Sequence, residues 1–147
     1  MLIRDLSPDD CDALEPLRAE PSLNIDPRVE LSKPLVRAWV ACDAADGAPL
    51  GYVLGWWLVD ELEIHAVGVL PSARRRGVAR RLLEHAMASA RTHGGRRLLL
   101  EVARSNSAAR RLYESLGFVV FNVRRGYYRA TGDDALEMER LLEQPSA

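Results

Sequence analysis

The hydrophobic pattern changes its period between residues 61 and 90, and this change constrains the fold more than any other feature of the sequence. Residues 61–69 (ELEIHAVGV) are rich in β-forming residues and predict a strand. Beyond Gly77, apolar residues recur at the spacing of one helix face, at Val78, Leu82, Leu83, Ala86 and Ala90. A strand that enters a helix through a glycine-bearing loop predicts a mixed α/β fold.

Further segments of strand character flank this unit. Residues 36–42 (VRAWVAC) and 50–59 (LGYVLGWWLV) are separated by a turn sequence and predict a hairpin. Residues 96–103 (RRLLLEVA) and 118–123 (FVVFNV) predict two more strands. Residues 134–142 (DALEMERLL) are expected to be a β-segment from their position, although their propensity suits a helix equally well.

Two further helices are predicted outside the central unit. Residues 7–10 (SPDD) combine a serine cap, a proline at the first helical position and an acidic residue three positions after the cap, and they predict a helix through Leu17. Residues 105–106 can cap a second helix that runs through Leu116. Prolines divide residues 20–34 into loops or short helical turns.

Composition limits the classes of protein to which the chain can belong. A chain of 147 residues predicts a single domain, residues 1–147. A net charge of −1 and the lack of a recognition motif argue against direct nucleic-acid binding. Cys11 and Cys42 have no metal-ligand spacing, and no apolar run approaches the ~18 residues that a membrane span needs. We therefore expect a soluble, cytoplasmic protein without a metal ion and without membrane contacts.

Residues 74–81 hold five arginines around Gly77, and this cluster has two interpretations. A helix start presents unpaired N–H groups with the positive end of the helix dipole behind them, which makes the loop a candidate anion site. Gly77 allows a ligand to approach the backbone, and the small Ala79 leaves the amides uncovered. The alternative is a solvated arginine face, because 19 of the 20 basic residues in the chain are arginine. Neither of the usual nucleotide-loop patterns is present.

The order of these motifs resembles that of a known enzyme family. Arg74-x-x-Gly77-x-Ala79, between a strand and an amphipathic helix, resembles the acyl-coenzyme A signature of the Gcn5-related N-acetyltransferase (GNAT) family. From about Leu50 to Leu142, the chain is similar to the bacterial ribosomal-protein alanine N-acetyltransferases (RimI type). Four blocks carry the similarity in order: GVLPSARRRGVARRLLEHA, LEVARSN, LYESLGF and RRGYY.

The resemblance implies the GNAT fold, a mixed and mostly antiparallel sheet that is flanked by helices and splayed open between residues 63–69 and 98–102. Acetyl-coenzyme A would lie in the split, with its pantetheine along one strand and its pyrophosphate at the start of the following helix. The cofactor-binding residues implied in this way are Val67, Gly68, Val69, Arg74, Arg75, Arg76, Gly77, Val78, Ala79, Arg80 and Asn106.

The resemblance also implies two catalytic residues. Glu101 matches the general base of the subfamily, acting through water, and Tyr113 matches its general acid. The backbone N–H of Val69 would polarise the acetyl carbonyl. Without the family pattern, Glu101 fits a solvated carboxylate at a strand end, and Tyr113 fits a core residue on the apolar stripe of its helix.

Glu63 is a rival candidate for the base, because other acetyltransferases of this fold place a carboxylate on the earlier strand. Strict alternation along that strand predicts that Glu63 shares one face with His65, Val67 and Val69. His65 is expected to line the cleft or to pair with a neighbour, since no second ligand lies at zinc spacing.

The acceptor half of the chain departs from the family pattern. Tyr127 and Tyr128 match a tyrosine pair of the subfamily and would wall a peptide groove, although packing at a turn explains them equally well. Gly126 and Arg129 stand where the subfamily more often has asparagine and proline. Residues 19–34 (AEPSLNIDPRVELSKP) replace an aromatic and proline-rich motif that helps to form the acceptor site. The sequence therefore supports the donor site better than the acceptor site.

Three functional hypotheses follow. The first is acetyl transfer from acetyl-coenzyme A to a protein N-terminal α-amine, such as the N-terminal alanine of a ribosomal protein. The second keeps the donor site but uses a small amine as acceptor, such as a polyamine, an amino acid or an aminoglycoside. The third is an acyl-coenzyme A-binding module without catalysis, which the presence of both Glu101 and Tyr113 argues against.

Overall fold

A single mixed sheet of seven strands forms the centre of the computed structural model, which describes residues 1–20, 23 and 25–143. The strand order is β1-β2-β3-β4-β5-β7-β6, and only the β4–β5 pair is parallel. This arrangement confirms the predicted mixed, mostly antiparallel α/β fold. The strands are β1 (Leu2–Asp5), β2 (Val36–Cys42), β3 (Gly51–Leu58), β4 (Glu61–Val69), β5 (Arg97–Ala103), β6 (Val119–Tyr128) and β7 (Asp133–Leu141).

Helices cover both faces of the sheet. They are α1 (Cys11–Leu14), α2 (Pro27–Glu30), α3 (Val78–Thr92) and α4 (Ser107–Ser115), with 3₁₀ turns at Pro8–Asp10, Glu15–Ala19 and Pro71–Ala73. The apolar stripe predicted for α3 is buried, and Leu82, Leu83 and Ala86 are fully inaccessible to solvent. Asn106 caps α4 by accepting a hydrogen bond from the Ala109 N–H at 3.3 Å.

Two apolar clusters divide the sheet into two faces. On the side that we call the α3 face, Val53, Leu62 and Leu100 pack with residues of α3. On the opposite side, the α1 face, Tyr52 and Leu54 pack with Leu6, Leu14, Leu17 and Leu23 from the N-terminal helical region. Each fully buried leucine stabilises this packing by about 2 kcal/mol relative to an exposed one.

The structure differs from the sequence-based expectations in the N-terminal region. Leu2–Asp5 forms an edge strand that was not predicted, because it has only four residues and no clean alternation of burial. The predicted helix from residues 7–10 through Leu17 is a succession of short helical segments instead. Pro16 explains this break, since proline cannot donate the backbone hydrogen bond that a helix interior requires.

The other expected strands are present. The β2–β3 hairpin is confirmed, and residues 134–142 lie almost entirely in β7 and not in a helix. β6 is longer than expected, since it continues through the RRGYY block to Tyr128. Pro21 and Asn24, which fall in the region expected to contain loops, lie outside the described residues, whereas Pro27 begins the short helix α2.

The sheet splits between β4 and β5. Their parallel pairing comprises only three residue pairs and ends at Glu63 and Leu99. Beyond that point, β4 remains paired with β3 as far as Val69, while β5 remains paired with β7 as far as Ala103. The two strands therefore diverge at the position that the family resemblance implied. Among the described helices, none combines the length and apolar character needed to cross a bilayer.

Candidate active site

The loop before α3 exposes a row of backbone N–H groups. Arg75 and Gly77 both have positive φ angles, of 66° and 76°, so the chain winds tightly around this point. Within the described chain, the N–H groups of residues 75–80 donate to no protein acceptor, and the Arg81 N–H is the first to donate, to the Gly77 carbonyl at 3.1 Å. Successive free amides at a helix start, with the helix dipole behind them, form an anion-binding concavity.

A cleft of about 260 Å³ adjoins these amides. It brings together seven of the eleven predicted cofactor residues with apolar walls from Ala73 and Leu112. The lining residues are Val69, Ala73, Arg74, Arg75, Gly77, Val78, Ala79, Arg80 and Leu112. This composition suits a ligand that has an anionic group followed by an extended, less polar chain.

The remaining predicted cofactor residues lie around this cleft without lining it. Val67 packs against the apolar cluster of the α3 face. Gly68 is buried under the N-terminal region, where a Cβ would come within 2.6 Å of Leu23 Cδ1. Asn106 serves as the helix cap described above, and its side-chain N–H groups remain available. Arg76 points away from the cleft toward Asp43.

Most arginine side chains of this cluster are engaged by other protein groups. Arg74 pairs with Glu20, Arg76 pairs with Asp43, and the Arg80 Nη2 donates to Ser115 Oγ at 2.6 Å. The hydrogen bond between Arg76 and Asp43 lowers the pKa of the Asp43 carboxyl and raises that of the Arg76 guanidinium. The candidate anion site is consequently formed by the backbone more than by arginine side chains.

Val69 directs backbone groups into the split. The Leu70 N–H donates to the Leu50 carbonyl at 2.9 Å, on the β3 side. Because neighbouring residues of a strand direct their N–H groups to opposite edges, the Val69 N–H points away from β3 and toward the opening. Its carbonyl lies on the same edge and accepts from Arg74 Nε at 3.3 Å. Val69 thus offers a backbone donor beside the loop of free amides.

Glu101 lies on β5 just beyond the last parallel pair with β4. Its neighbours Leu100 and Val102 are buried in the α3-face cluster, so the Glu101 side chain projects from the α1 face. There its Oε1 accepts a hydrogen bond from the Tyr128 hydroxyl at 2.8 Å. Burial and this hydrogen bond to a carboxylate raise the pKa of Tyr128, which therefore acts as a neutral donor.

Other carboxylates on the same part of the sheet form ion pairs with arginine. Arg97 bridges Glu61, at 2.8 Å, and Glu139, and Arg124 pairs with Glu137. Among the described residues, no cationic nitrogen lies within 4.0 Å of the Glu101 carboxylate. Glu101 therefore differs from these neighbouring carboxylates in having a phenol, and not an arginine, as its hydrogen-bond partner.

Tyr113 has a partly buried ring and a hydroxyl without a described hydrogen-bond partner. The ring packs in the α3-face cluster, 5.9 Å from the ring centre of Phe118. The hydroxyl has no hydrogen-bond partner in the described part of the chain, and it is not enclosed by protein. Burial raises the pKa of Tyr113, which keeps the phenol protonated and able to donate a proton.

Glu63 and His65 do not share a face with Val67 and Val69, so this prediction was wrong. The β3–β4 register shifts at His65, because Leu54 pairs with Ala66 while Gly55 pairs with Ile64. The bulge reverses the alternation: His65 stacks on Trp56 at 4.3 Å between ring centres, on the α1 face, whereas Val67 and Val69 pack on the α3 face.

The same bulge determines the surroundings of Glu63. Glu63 lies on the α1 face, as Glu101 does, and its Oε1 is 3.1 Å from His65 Nε2. The two candidate bases thus differ in their partners, an imidazole for Glu63 and a phenol for Glu101. Within the described ranges, no group of three metal-ligating side chains comes together.

The contact between Tyr128 and Glu101 was not anticipated from the sequence, which predicted Tyr127 and Tyr128 only as groove walls. The two rings lie edge to face, 5.3 Å apart, and Tyr127 is about half exposed, at 47%. The signal that would have revealed the contact is the register of β5, β7 and β6, which no local motif encodes.

Comparison with known proteins relates the chain to a family of acetyltransferases. Residues 3–118 match the Acetyltransferase (GNAT) family. The N-alpha-acetyltransferase RimI of Mycobacterium tuberculosis is 44% identical over 86 residues, which are 58% of this chain and 52% of that protein. The ribosomal protein bS18-alanine N-acetyltransferase of Escherichia coli K12 is 38% identical over 95 residues, 63% of this chain and 64% of that protein. The matched segments span between about half and two thirds of these relatives.

The structural similarity extends over almost the whole chain. The crystal structure of the ribosomal-protein-S18-alanine N-acetyltransferase from Escherichia coli superimposes with a TM-score of 0.84 at 27% identity. The superposition covers 99% of this chain and 96% of that one. The superposition therefore extends beyond the 58% and 63% of this chain that the two sequence matches cover.

Proposed function

The chain belongs to the acetyltransferase (GNAT) family, and we propose that it transfers an acetyl group from acetyl-coenzyme A to the α-amine of a protein N-terminus. The proposed acceptor is the N-terminal alanine of a ribosomal protein, by analogy with the relatives described above. One observation carries the proposal: the β4–β5 split has free backbone amides beside one wall and the Glu101 carboxylate on the other. A ribosomal acceptor implies a reaction in the cytoplasm.

The donor side fits acetyl-coenzyme A. The free amides of residues 75–80 are suited to its pyrophosphate, and Asn106 retains amide N–H groups for a further contact. The edge of β4 from Val67 to Val69 is unpaired toward β5 and can pair with the amides of the pantetheine arm. Acetyl-coenzyme A supplies the activated thioester, and the Val69 N–H is directed toward the place where the acetyl oxygen would lie.

The acceptor amine must lose a proton, and the thiolate that leaves must gain one, as a C–N bond replaces the C–S bond. An α-amine has a pKa near ~8, so about a tenth of it is neutral at pH 7, whereas a lysine amine is neutral less than about one time in a thousand. Glu101 would accept the amine proton through a water molecule. Tyr113 would donate its phenolic proton to the thiolate, and no metal ion is required.

The small-amine hypothesis and the non-catalytic hypothesis make different predictions for one experiment. The protein is incubated with acetyl-coenzyme A and a panel of amines, and the products are identified by mass spectrometry. The panel contains peptides with alanine, serine, glycine or methionine at the N-terminus, together with spermidine, free amino acids and an aminoglycoside.

The proposal predicts acetylated peptides, with alanine-initiated peptides preferred. Acetylation of the small amines alone would contradict the peptide assignment and would mean that residues 19–34 form a different acceptor site. Binding of acetyl-coenzyme A without any acetylated product would support the non-catalytic module.

A further inference from the structure

The Glu101 carboxylate is held asymmetrically. The Tyr128 hydroxyl donates to Oε1 at 2.8 Å, whereas Oε2 has no protein donor among the described residues. A phenol is a neutral donor, so it orients the carboxylate without supplying a counter-charge. Arg124 of β6 is occupied by Glu137 and by the Tyr127 ring. One oxygen is therefore fixed, and the other remains free to accept a proton.

The end of β6 is built to bring the Tyr128 hydroxyl across β7 to β5. The β6–β7 register breaks between Arg124 and Tyr128, so residues 125–127 bulge out of the ladder. Gly126 has a φ of 59° at this bulge, and its N–H donates to Asp134 Oδ1 at 2.8 Å. Arg104 Nε donates to the other oxygen of Asp134 at 2.9 Å. These two donors lower the pKa of Asp134 and keep it charged, which maintains the bulge.

We propose that Tyr128 is a positioning residue that acts through Glu101, by fixing Oε1 so that Oε2 faces the acceptor amine or its water. This inference rests on the proposed function, because it requires Glu101 to be the base. It assigns to Tyr128 a role distinct from the groove wall that the sequence predicted. Tyr128 itself exchanges no proton in the reaction.

A double-mutant cycle tests this role. Steady-state kcat and KM are measured with an alanine-initiated peptide for the wild type, Tyr128→Phe, Glu101→Gln and the double variant. Loss of one hydrogen bond to a charged group should lower kcat of Tyr128→Phe about 10-fold, while the KM for acetyl-coenzyme A stays the same. In the Glu101→Gln background, the same substitution should change kcat by less than about twofold, because the group that it positions is gone.

Tyr52→Phe provides the matched control. It removes a phenol hydroxyl from a tyrosine of β3 in the α1-face core that makes no described hydrogen bond to Glu101, and it should leave kcat within about twofold of the wild type. Thermal melting and acetyl-coenzyme A binding are measured for all variants to verify that each is folded.

The outcomes separate this inference from the function on which it rests. An unchanged kcat for Tyr128→Phe, with an active wild type, would overturn the positioning role and leave the proposed function intact. An equal loss in both backgrounds would also overturn it, since Tyr128 would then act independently of Glu101. A wild type that acetylates no amine would overturn both.

Discussion

The two walls of the β4–β5 split present different kinds of chemical group, backbone amides on one side and side chains on the other. On the donor side, the proposed functional groups are backbone amides of residues 75–80, and neighbouring arginine side chains are largely engaged elsewhere. On the acceptor side, the proposed functional groups are side chains, the Glu101 carboxylate and the Tyr128 hydroxyl, on strands distant in sequence. A backbone site depends on local conformation, whereas a side-chain site depends on the register of several strands.

This difference predicts how the two walls respond to substitution. On the donor side, changes of backbone conformation should weaken the binding of acetyl-coenzyme A, whereas changes of side-chain charge should alter that binding only slightly. On the acceptor side, single side-chain substitutions should lower turnover and leave acetyl-coenzyme A binding unchanged.

The largest effect is expected for Glu101→Gln. Removal of a general base lowers the rate by about 100-fold or more, and the neutral amide should leave the dissociation constant of acetyl-coenzyme A unchanged. Glu63→Gln is the matched control, since it removes the other candidate base on the same face. Steady-state kinetics and calorimetric titration measure the two quantities. A larger loss of kcat in Glu63→Gln than in Glu101→Gln would transfer the role to Glu63.

A smaller loss is expected for Tyr113→Phe, about 10-fold in kcat, because water can partly replace a general acid. Burial raises the pKa of Tyr113 above its ordinary value of 10.0, so its protonated, donating form persists to higher pH. The kcat of the wild type should therefore not fall from loss of this proton between pH 7 and pH 9. A descending limb within that range that is absent from Tyr113→Phe would show that the phenol ionises earlier than its burial implies.

These two predictions concern residues that the sequence indicated only through the family resemblance. The α3 loop was predictable because Gly77, the apolar helix stripe and the preceding strand are local signals. The sheet face on which Glu63 lies could not be predicted, because the bulge at His65 arises from pairing with β3. The Tyr128–Glu101 contact depends on a second irregularity, in β6, and on the pairing of β5 with β7. The N-terminal helix was mispredicted for a local reason, Pro16, which a closer reading of proline positions would have found.

On the donor side, Gly77→Ala should weaken acetyl-coenzyme A binding about 10-fold. A Cβ at Gly77 meets nothing within 4 Å, so the penalty comes from its left-handed φ of 76° and not from a clash. Gly94→Ala is the matched control, since Gly94 follows the same helix, has a φ of 79° and is equally open.

Both glycine variants should lose about 1 kcal/mol of unfolding free energy, measured by chemical denaturation. Only Gly77→Ala should change the dissociation constant of acetyl-coenzyme A. Equal binding by the two variants would show that the conformation of the loop is not required for the donor site.

The smallest effect is expected for Arg76→Gln. The Arg76 guanidinium is paired with Asp43, so its loss should change the dissociation constant of acetyl-coenzyme A by less than about threefold. Arg75→Gln provides a comparison, because Arg75 lines the cleft and has no ion-pair partner among the described residues. A loss of 10-fold or more in Arg76→Gln would mean that arginine charge, and not the backbone, dominates the donor wall.

The central claim is that this protein acetylates a protein N-terminal α-amine, with Glu101 on the acceptor wall as the base. The most direct test uses two peptides with one sequence, each beginning with alanine and containing one internal lysine, of which one has its α-amine chemically blocked. After incubation with acetyl-coenzyme A, tandem mass spectrometry locates the acetyl group. We predict acetylation of the alanine α-amine in the free peptide and none in the blocked peptide. Equal acetylation of the lysine in both peptides, with an unmodified α-amine, would contradict the claim.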